Sequence, residues 1–475
     1  MTNPVNMFNV GKSGLMVSKA AMTTTGHNIA NVNTEGFSRQ RVDQEAGPVT
    51  GNDRISIGHG VWAKAVTRAN DEYLQKRMNK EAKDFGSTEE KDIYLQQTEQ
   101  IFNETNGDGV NRLATRFFNE FRKLSADTGN SAIRASVRES SAQLASEVNR
   151  MDRELKEVSS NIDSRIEGYV REINSLARQI RDINLLVQKS EMNGTAPPDL
   201  YDKRDLALKK LGEMADISVN KDKMGMVTVT MVGHVPLIVG EQLTELEVMR
   251  TPPDPATGKR EGSVDIFVNE PVPTKLTGSI KSGRLGGLLE VRDKDIASAR
   301  DQINEVAYTI SKEVNNIHRQ GFGLDGGSGR DFFREPTDKE SAAENMRLSD
   351  HVLENLDSIA AAKEANSPAD NRIAVAMSGI GELKGLSDTQ PNSSILDIYN
   401  SMVSDLSVRT GENKKSMVFQ KDVVTQLENT RESLVGVNLD EETSNLIQFQ
   451  HAYAANAKVI QVADEVLQNI LTIFK

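Results

Sequence analysis

A seven-residue apolar repeat at each end of the chain restricts its fold more than any other feature. In the C-terminal stretch Leu446, Phe449, Tyr453, Asn456, Ile460, Ala463, Leu467, Ile470 and Phe474 follow one another in alternating steps of three and four. Near the start Phe8, Gly11, Leu15, Ser18, Met22, Thr25 and Ile29 do the same. Such a repeat is the seam along which α-helices supercoil. Two seams at opposite ends of a 475-residue chain predict that the termini pair into one stalk and carry everything between them outward. That plan suits an assembling subunit better than an enzyme. Asn456 is the polar exception on the C-terminal seam, and a buried Asn there fixes register at some cost in stability.

Between the seams the pattern changes several times. The first helix is expected to stop in ANVNTEGF, residues 30–37, where turn formers and Gly36 end the repeat. Residues 37–70 read as extended, with Ile55 and Ile57 alternating before Gly58 and Gly60. Residues 131–190 hold the longest helical signal, with apolar positions from Leu144 to Val187 at steps of three and four. Two consecutive fours at Val158, Ile162 and Ile166 form a stutter, which relaxes a left-handed supercoil. About 55 residues at 1.5 Å each make a rod of roughly 80 Å, which is a scaffold. After Gly212 the period becomes two: Val227, Val229 and Met231 alternate with polar residues, as do Val264, Ile266 and Val268. A turn-rich loop, TPPDPATGKREG, separates them. Helical spacing resumes by Leu289 and returns again at Ile395, while 340–393 is mixed. The fold class expected is mainly α, α+β and multi-domain. Residues 1–36 and 436–475 form a terminal coiled coil. Residues 37–212 and 281–435 form a long-helix bundle, including the β region 37–70 and the mixed region 321–393. Residues 213–280 form a β-rich outer insert.

Little in the chain suggests catalysis. Net charge is −12, so there is no basic footprint for nucleic acid. No apolar run reaches the ~18 residues of a membrane span, and the first residues, MTNPVNMFNVGKSG, lack the apolar core of a secretory signal. Cysteine is absent. That excludes disulfides, thiolate metal sites and cysteine nucleophiles. It fits a cytosolic protein, or one threaded unfolded through an export channel where thiols are a liability. His27, His59, His234, His318, His351 and His451 show no metal-binding spacing, and each reads as an isolated surface or loop histidine. Gly321, Gly323 and Gly326 spell GxGxxG, but a helix precedes them and more glycine follows, so they read as a loop. Asp325 and Asp331 beside those glycines lack the spacing of a calcium loop. No cofactor or metal is expected.

Several segments resemble a known family. ANVNTEGFSRQ (30–40) is similar to the motif ending the first helix of bacterial flagellar rod, hook and hook-associated proteins. The family-motif positions are Asn31, Asn33, Thr34, Gly36, Phe37 and Arg39 within it and Asn28 just before it. RANDEYL (68–74) resembles the segment after the first strands, and NLIQFQHAYAANAKVIQVADEVLQNIL (445–471) the C-terminal helix. GVNLDEE (436–442), PPDLYDKRDLALKKLGEMADI (197–217) and GGLLEVRDKDIASARDQINEVA (286–307) resemble the hook–filament junction branch, the hook-associated protein 1 family.

The resemblance implies paired terminal helices lining an inner tube, helical domains around them and a β-rich domain outermost. It implies a structural role in the flagellum: a ring of identical subunits joining hook to filament. The expected partners are the hook protein, a second hook-associated junction protein, and a cytoplasmic export chaperone that binds the C-terminal helix. Export would run through the flagellar type III apparatus without a cleaved signal, to a final place outside the cell. Unpaired helices are marginal alone, so ordering on incorporation would couple folding to assembly. A hook or distal rod protein is the alternative within the superfamily, and a secreted coiled-coil adhesin the alternative outside it.

Overall fold

The computed structural model describes residues 4–47, 49–52, 55–103, 109–195, 197–222, 225–250, 263–269, 273–386 and 391–473. Helix makes up 67% of it, and the chain goes out from one end and returns to it. Helix α1 (Pro4–Ala30) leads into an antiparallel pair, β1 (Gln40–Ala46) with β4 (Val61–Arg68). The short pair β2 (Val49–Asn52) and β3 (Ile55–Gly58) lies between them in sequence. Four helices follow: α2 (Glu72–Ile101), α3 (Val110–Ala126), α4 (Ser131–Met192) and α5 (Pro198–Met214). The sequence reading assigns no element to 72–126, although α3 buries Phe117, Phe118 and Phe121.

Helix α4 is the mast of the molecule. It has 62 residues, about 93 Å at 1.5 Å each. Asn130 starts it, its side chain accepting from the Ala132 and Ile133 amides at 3.0 and 3.3 Å. It ends at Met192, before Gly194 at φ +73°. The expected seam from Leu144 to Val187 is buried throughout, the stutter at Val158–Ile166 included, except that Leu176 is half-buried and Ala177 beside it is enclosed. Each large apolar side chain on it contributes ~1.5–3 kcal/mol.

The β-rich insert forms two antiparallel sheets. One has the order β5 (Ile217–Lys221), β6 (Val227–Met231), β7 (Val235–Val239), β8 (Gln242–Leu243). The other runs β11 (Pro273–Lys275), β10 (Val264–Asn269), β9 (Leu246–Arg250). The turn-rich loop 251–262 lies outside the described residues. Val229, Met231 and Ile266 join the same apolar core as α4, so the insert leans on the mast instead of enclosing a core of its own.

Polar side chains on α4 hold both sheets. Asn184 donates to Val227 O at 2.8 Å and accepts from Val227 N at 3.1 Å. Asn174 does the same with Leu246, at 2.8 and 2.9 Å. Asp163 accepts from Val264 N at 3.3 Å. Each side chain thus satisfies the exposed ladder groups of a strand that would otherwise be buried unpaired.

Helices α6 (Gly283–Glu290) and α7 (Ala297–His318) are joined by a π-helical turn, Val291–Ile296. That turn directs Arg292 into the interior, where it donates to Asp163 at 2.5 Å and Val264 O at 2.8 Å. The mixed region 340–393 folds as short helices α8 (Ala342–Asn345), α9 (Asp350–Glu354) and α10 (Arg372–Gly379), packed into the main core. Two long helices complete the chain, α11 (Ile395–Val435) and α12 (Leu439–Ile473).

One histidine departs from the surface reading. His318 is buried. Its Nδ1 lies 2.7 Å from Arg330 O, and its Nε2 accepts from Ala360 N at 2.9 Å. Burial pushes it down to about 4, which keeps it neutral as that bonding requires. It anchors the glycine-rich loop, where Asp325 and Asp331 pair with Arg330 and Arg319.

Candidate functional site

Helices α1 and α12 pack antiparallel along their length. Gly11 faces Ile460, Gly14 and Ser18 face Asn456, and Asn28 faces Glu442. The α1 face that packs is Gly11, Gly14, Ser18, Ala21, Thr25 and Asn28, all buried. It keeps Gly11, Ser18 and Thr25 of the expected seam. The other expected positions fall beside it: Leu15, Met22 and Ile29 are half-buried and Phe8 is exposed. The reason is close approach. A Cβ at Gly11 would come within 2.8 Å of Ile460 Cγ1, and one at Gly14 would collide with the Asn456 amide. Small residues let two backbones meet where large ones would hold them apart.

On α12, Leu446, Phe449, Asn456, Ile460 and Leu467 are half-buried towards α1, and Ala463 is fully enclosed. Tyr453 and Ile470 remain exposed, and Phe474 lies outside the described residues. Asn456 Nδ2 reaches Ser18 Oγ at 3.5 Å. Met7, Met16, Ile447, Val462, Val466 and Leu471 of the pair are exposed to solvent.

The coil is rooted in a polar joint. Asn28 donates to Gln40 O at 2.8 Å and to Glu442 Oε2 at 2.9 Å, and accepts from Gln40 N at 3.0 Å. Arg39 donates through Nε to Glu442 and through Nη1 to Glu441, both at 2.8 Å. Its amide donates to Val435 O, closing α11 onto β1 at 2.8 Å. Gly36 takes φ +80°, which turns the chain after α1. Phe37 meets His27 edge to face at 5.5 Å. Asn31 donates to His27 O at 3.0 Å and accepts from Thr34 at 3.1 Å, while Asn33 is exposed.

The joint extends into the body. Ser38 N donates to Asp202 at 2.9 Å, and Arg68 bridges Asp202 and Asp205 at 2.6 Å each. Burial alone would lower the Arg68 guanidinium, but Asp205 and Asp202 hold it above its ordinary value. Arg431 donates to Gly36 O at 3.1 Å. Asn438 starts α12 by accepting from the Asp440 and Glu441 amides at 2.9 and 3.3 Å. Residues 28–40, 68, 197–205 and 431–442 therefore meet in one place, although the sequence scatters them. Among the described residues no group of three acidic or histidine side chains could hold a metal ion, and no helix is long and apolar enough to cross a membrane.

Comparison with known proteins fits this layout. A family model described as the flagellar hook-associated protein FlgK helical domain matches residues 95–333, half of the chain. Models for a flagella basal body rod protein and for the C-terminal part of the flagellar basal body rod FlgEFG proteins match 8–37 and 433–473. Flagellar hook-associated protein 1 of Bacillus subtilis (strain 168) is 27% identical, over 99% of this chain and 98% of that protein. The Escherichia coli (strain K12) protein of that name is 25% identical, over 98% and 100%. The flagellar hook junction protein FlgK from Burkholderia pseudomallei shares the fold, with a TM-score of 0.67 at 15% identity over 75% of this chain and 99% of that one. The chain belongs to the flagellar hook-associated protein FlgK family.

Proposed function

We propose that the chain is a structural subunit of the hook–filament junction, and that copies of it close into a ring through their terminal helices. The observation that supports this most directly is the apolar surface left exposed on the α1–α12 pair: Met16, Ile447, Val462, Val466 and Leu471 stay exposed in a single chain. A paired stalk that still shows an apolar face has surface for a further partner. A neighbouring copy supplies it most simply, because every copy carries the same face. The hook protein meets one rim of the ring and the second junction protein the other. Before assembly, the C-terminal helix is held by a cytoplasmic export chaperone, and the chain leaves the cell by the flagellar type III route.

Removing residues 436–475 tests this reading. In a strain lacking its own copy, the full chain should restore swimming. The truncated chain should remain folded in its body, leave hooks bare, and release filament protein into the medium. Normal filaments on cells with only the truncated chain would sink the terminal-helix mechanism. A hook or rod role would instead show as loss of the hook itself.

A further inference from the structure

The helix running from α6 to α7 contains one wide turn. Its residues Val291–Ile296 take the π form, which is rare and occurs mostly as a single turn inserted in an α-helix. Neither flank can absorb the extra residue. On the α6 side a Cβ at Gly287 would collide with Ser87 O, and on the α7 side Ile303, Val306 and Ile310 are buried. The turn carries charges that serve different parts of the molecule. Arg292 donates to Asp163 of α4 at 2.5 Å and to Val264 O of β10 at 2.8 Å, and Asp293 grips the same guanidinium at 2.8 and 3.1 Å. Asp295, its side chain 9% exposed, accepts from Arg409 of α11 at 2.7 Å. Glu290, just before the turn, pairs with Lys91 of α2. In an α-helix, residues three apart stand about 60° apart around the axis, so Arg292 and Asp295 would pair with each other. The wider turn separates them, so that one serves the insert and the other serves α11.

We propose that this π turn is a shiftable joint that couples the seat of the β-rich insert on α4 to the position of α11. An uncommon backbone geometry persists where its surroundings hold it, and here they hold it from two sides. If the insert lets go of Arg292, or α11 lets go of Asp295, the extra residue moves along the helix. Residues 292–295 then take α geometry, and the freed charge pairs with its neighbour three residues away. The second contact is lost with the first. Coupling of this kind is reciprocal: loosening α11 at Arg409 loosens β10, and loosening β10 loosens α11. A load on the insert is therefore felt at α11, whatever applies it.

Hydrogen exchange on the purified full chain tests the coupling. Asp163→Asn removes the charge that holds Arg292 to α4. It should speed exchange at 264–269 and also at 405–412, each by roughly fivefold. Arg409→Gln frees Asp295 and should speed the same two stretches. The double variant should be no faster than either single one, since one event releases both contacts. Asn184→Ala is the control: it loosens β6 without touching the turn and should leave 405–412 at the wild-type rate. Arg292→Lys, which keeps the charge and loses the fork, takes the place of Asp163→Asn if that variant does not fold. Effects confined to the side of each substitution overturn the proposal. So does a double variant whose acceleration is the product of the two, and so does a control that speeds 405–412 as Asp163→Asn does. None of these results bears on the junction role, which the swimming assay reads separately.

Discussion

Helices α4 and α12 carry the same kind of seam and meet different fates. Along α4 the chain itself supplies partners: α3, α5, α8 and the insert strands close over it, and Leu144, Val148, Leu155, Ile162, Ile166, Ile173 and Ile180 are fully buried. Along α12 the chain supplies chiefly α1, whose packed face is Gly11, Gly14, Ser18, Ala21, Thr25 and Asn28. They allow close approach but offer little apolar bulk, so Leu446, Phe449, Ile460 and Leu467 stay half-exposed. A heptad pattern therefore states that a helix needs partners without stating whose. A seam completed within the chain builds a body, and one left incomplete builds a joint between bodies.

One substitution placed in both seams gives the largest contrast. Ile162→Asp puts an unpaired carboxylate at a fully buried position. It should cost the body at least ~4 kcal/mol, read as a collapse of the main melting transition. Leu467→Asp makes the same chemical change at a half-buried position near the coil's tip. It should move body melting by less than ~0.5 kcal/mol, yet abolish filament growth in the swimming assay, because the charge would recur in every subunit of the proposed ring. If Leu467→Asp lowered melting as Ile162→Asp does, coil and body would be one cooperative unit and the comparison would fail.

The body should also be the part that responds to acid. His318 lies near 4 in the folded chain against 6.5 when free. Between those values the unfolded chain takes up a proton that the folded chain refuses. Its share of stability is therefore intact above pH ~6.5 and is lost as pH falls towards ~4, by about 3 kcal/mol. His318→Gln should be less stable at neutral pH but should flatten that part of the melting profile. An unchanged slope would remove His318 from the account. A smaller loss, ~2 kcal/mol, should follow Asn184→Ala, which strands both backbone groups of Val227. Exchange should rise first in β6 and leave the coil untouched.

What the sequence shows and what it hides have separate physical causes. The α4 seam is legible because a helix enclosed by its own chain writes its contacts as Leu, Ile and Val at fixed steps. The α1 face is not, because Gly14, Ala21 and Asn28 pack by being small or by hydrogen bonding, and neither registers as apolar. Its period of seven is legible in the sequence; the phase that packs is not. His318 follows Val314 by four residues on the buried stripe of α7, a spacing that marks it as interior, but a polar residue on an apolar stripe reads ambiguously. The joint was hidden most fully. Arg39 and Glu442 lie 403 residues apart, and no local pattern connects them. Only the resemblance of both segments to one family singled them out. The strand clamps Asn174 and Asn184 left no sequence signal, since an Asn on a long helix usually faces water.

The smallest effect concerns the phase of the α1 seam. Gly14 sits against the Asn456 side chain, leaving no room for a methyl group. Gly14→Ala improves helix propensity by roughly 1 kcal/mol, but it pushes the Asn456 amide off Ser18 and loses a weak hydrogen bond worth about as much. The two terms nearly cancel, so body melting and the amount of chain made should not change. What changes is register: Asn456 ties α12 to one position on α1, and a displaced amide permits neighbouring ones. Filaments should therefore form but shear off more readily, measured as filament length after passage through a needle. Asn456→Ala removes the same tie outright. If the packed face is Gly11–Gly14–Ser18, Asn456→Ala should shear like Gly14→Ala, and the two together should shear no more readily than either alone. If the packed face were Phe8–Leu15–Met22, Gly14→Ala would have no effect, and Leu15→Ala would carry the whole defect.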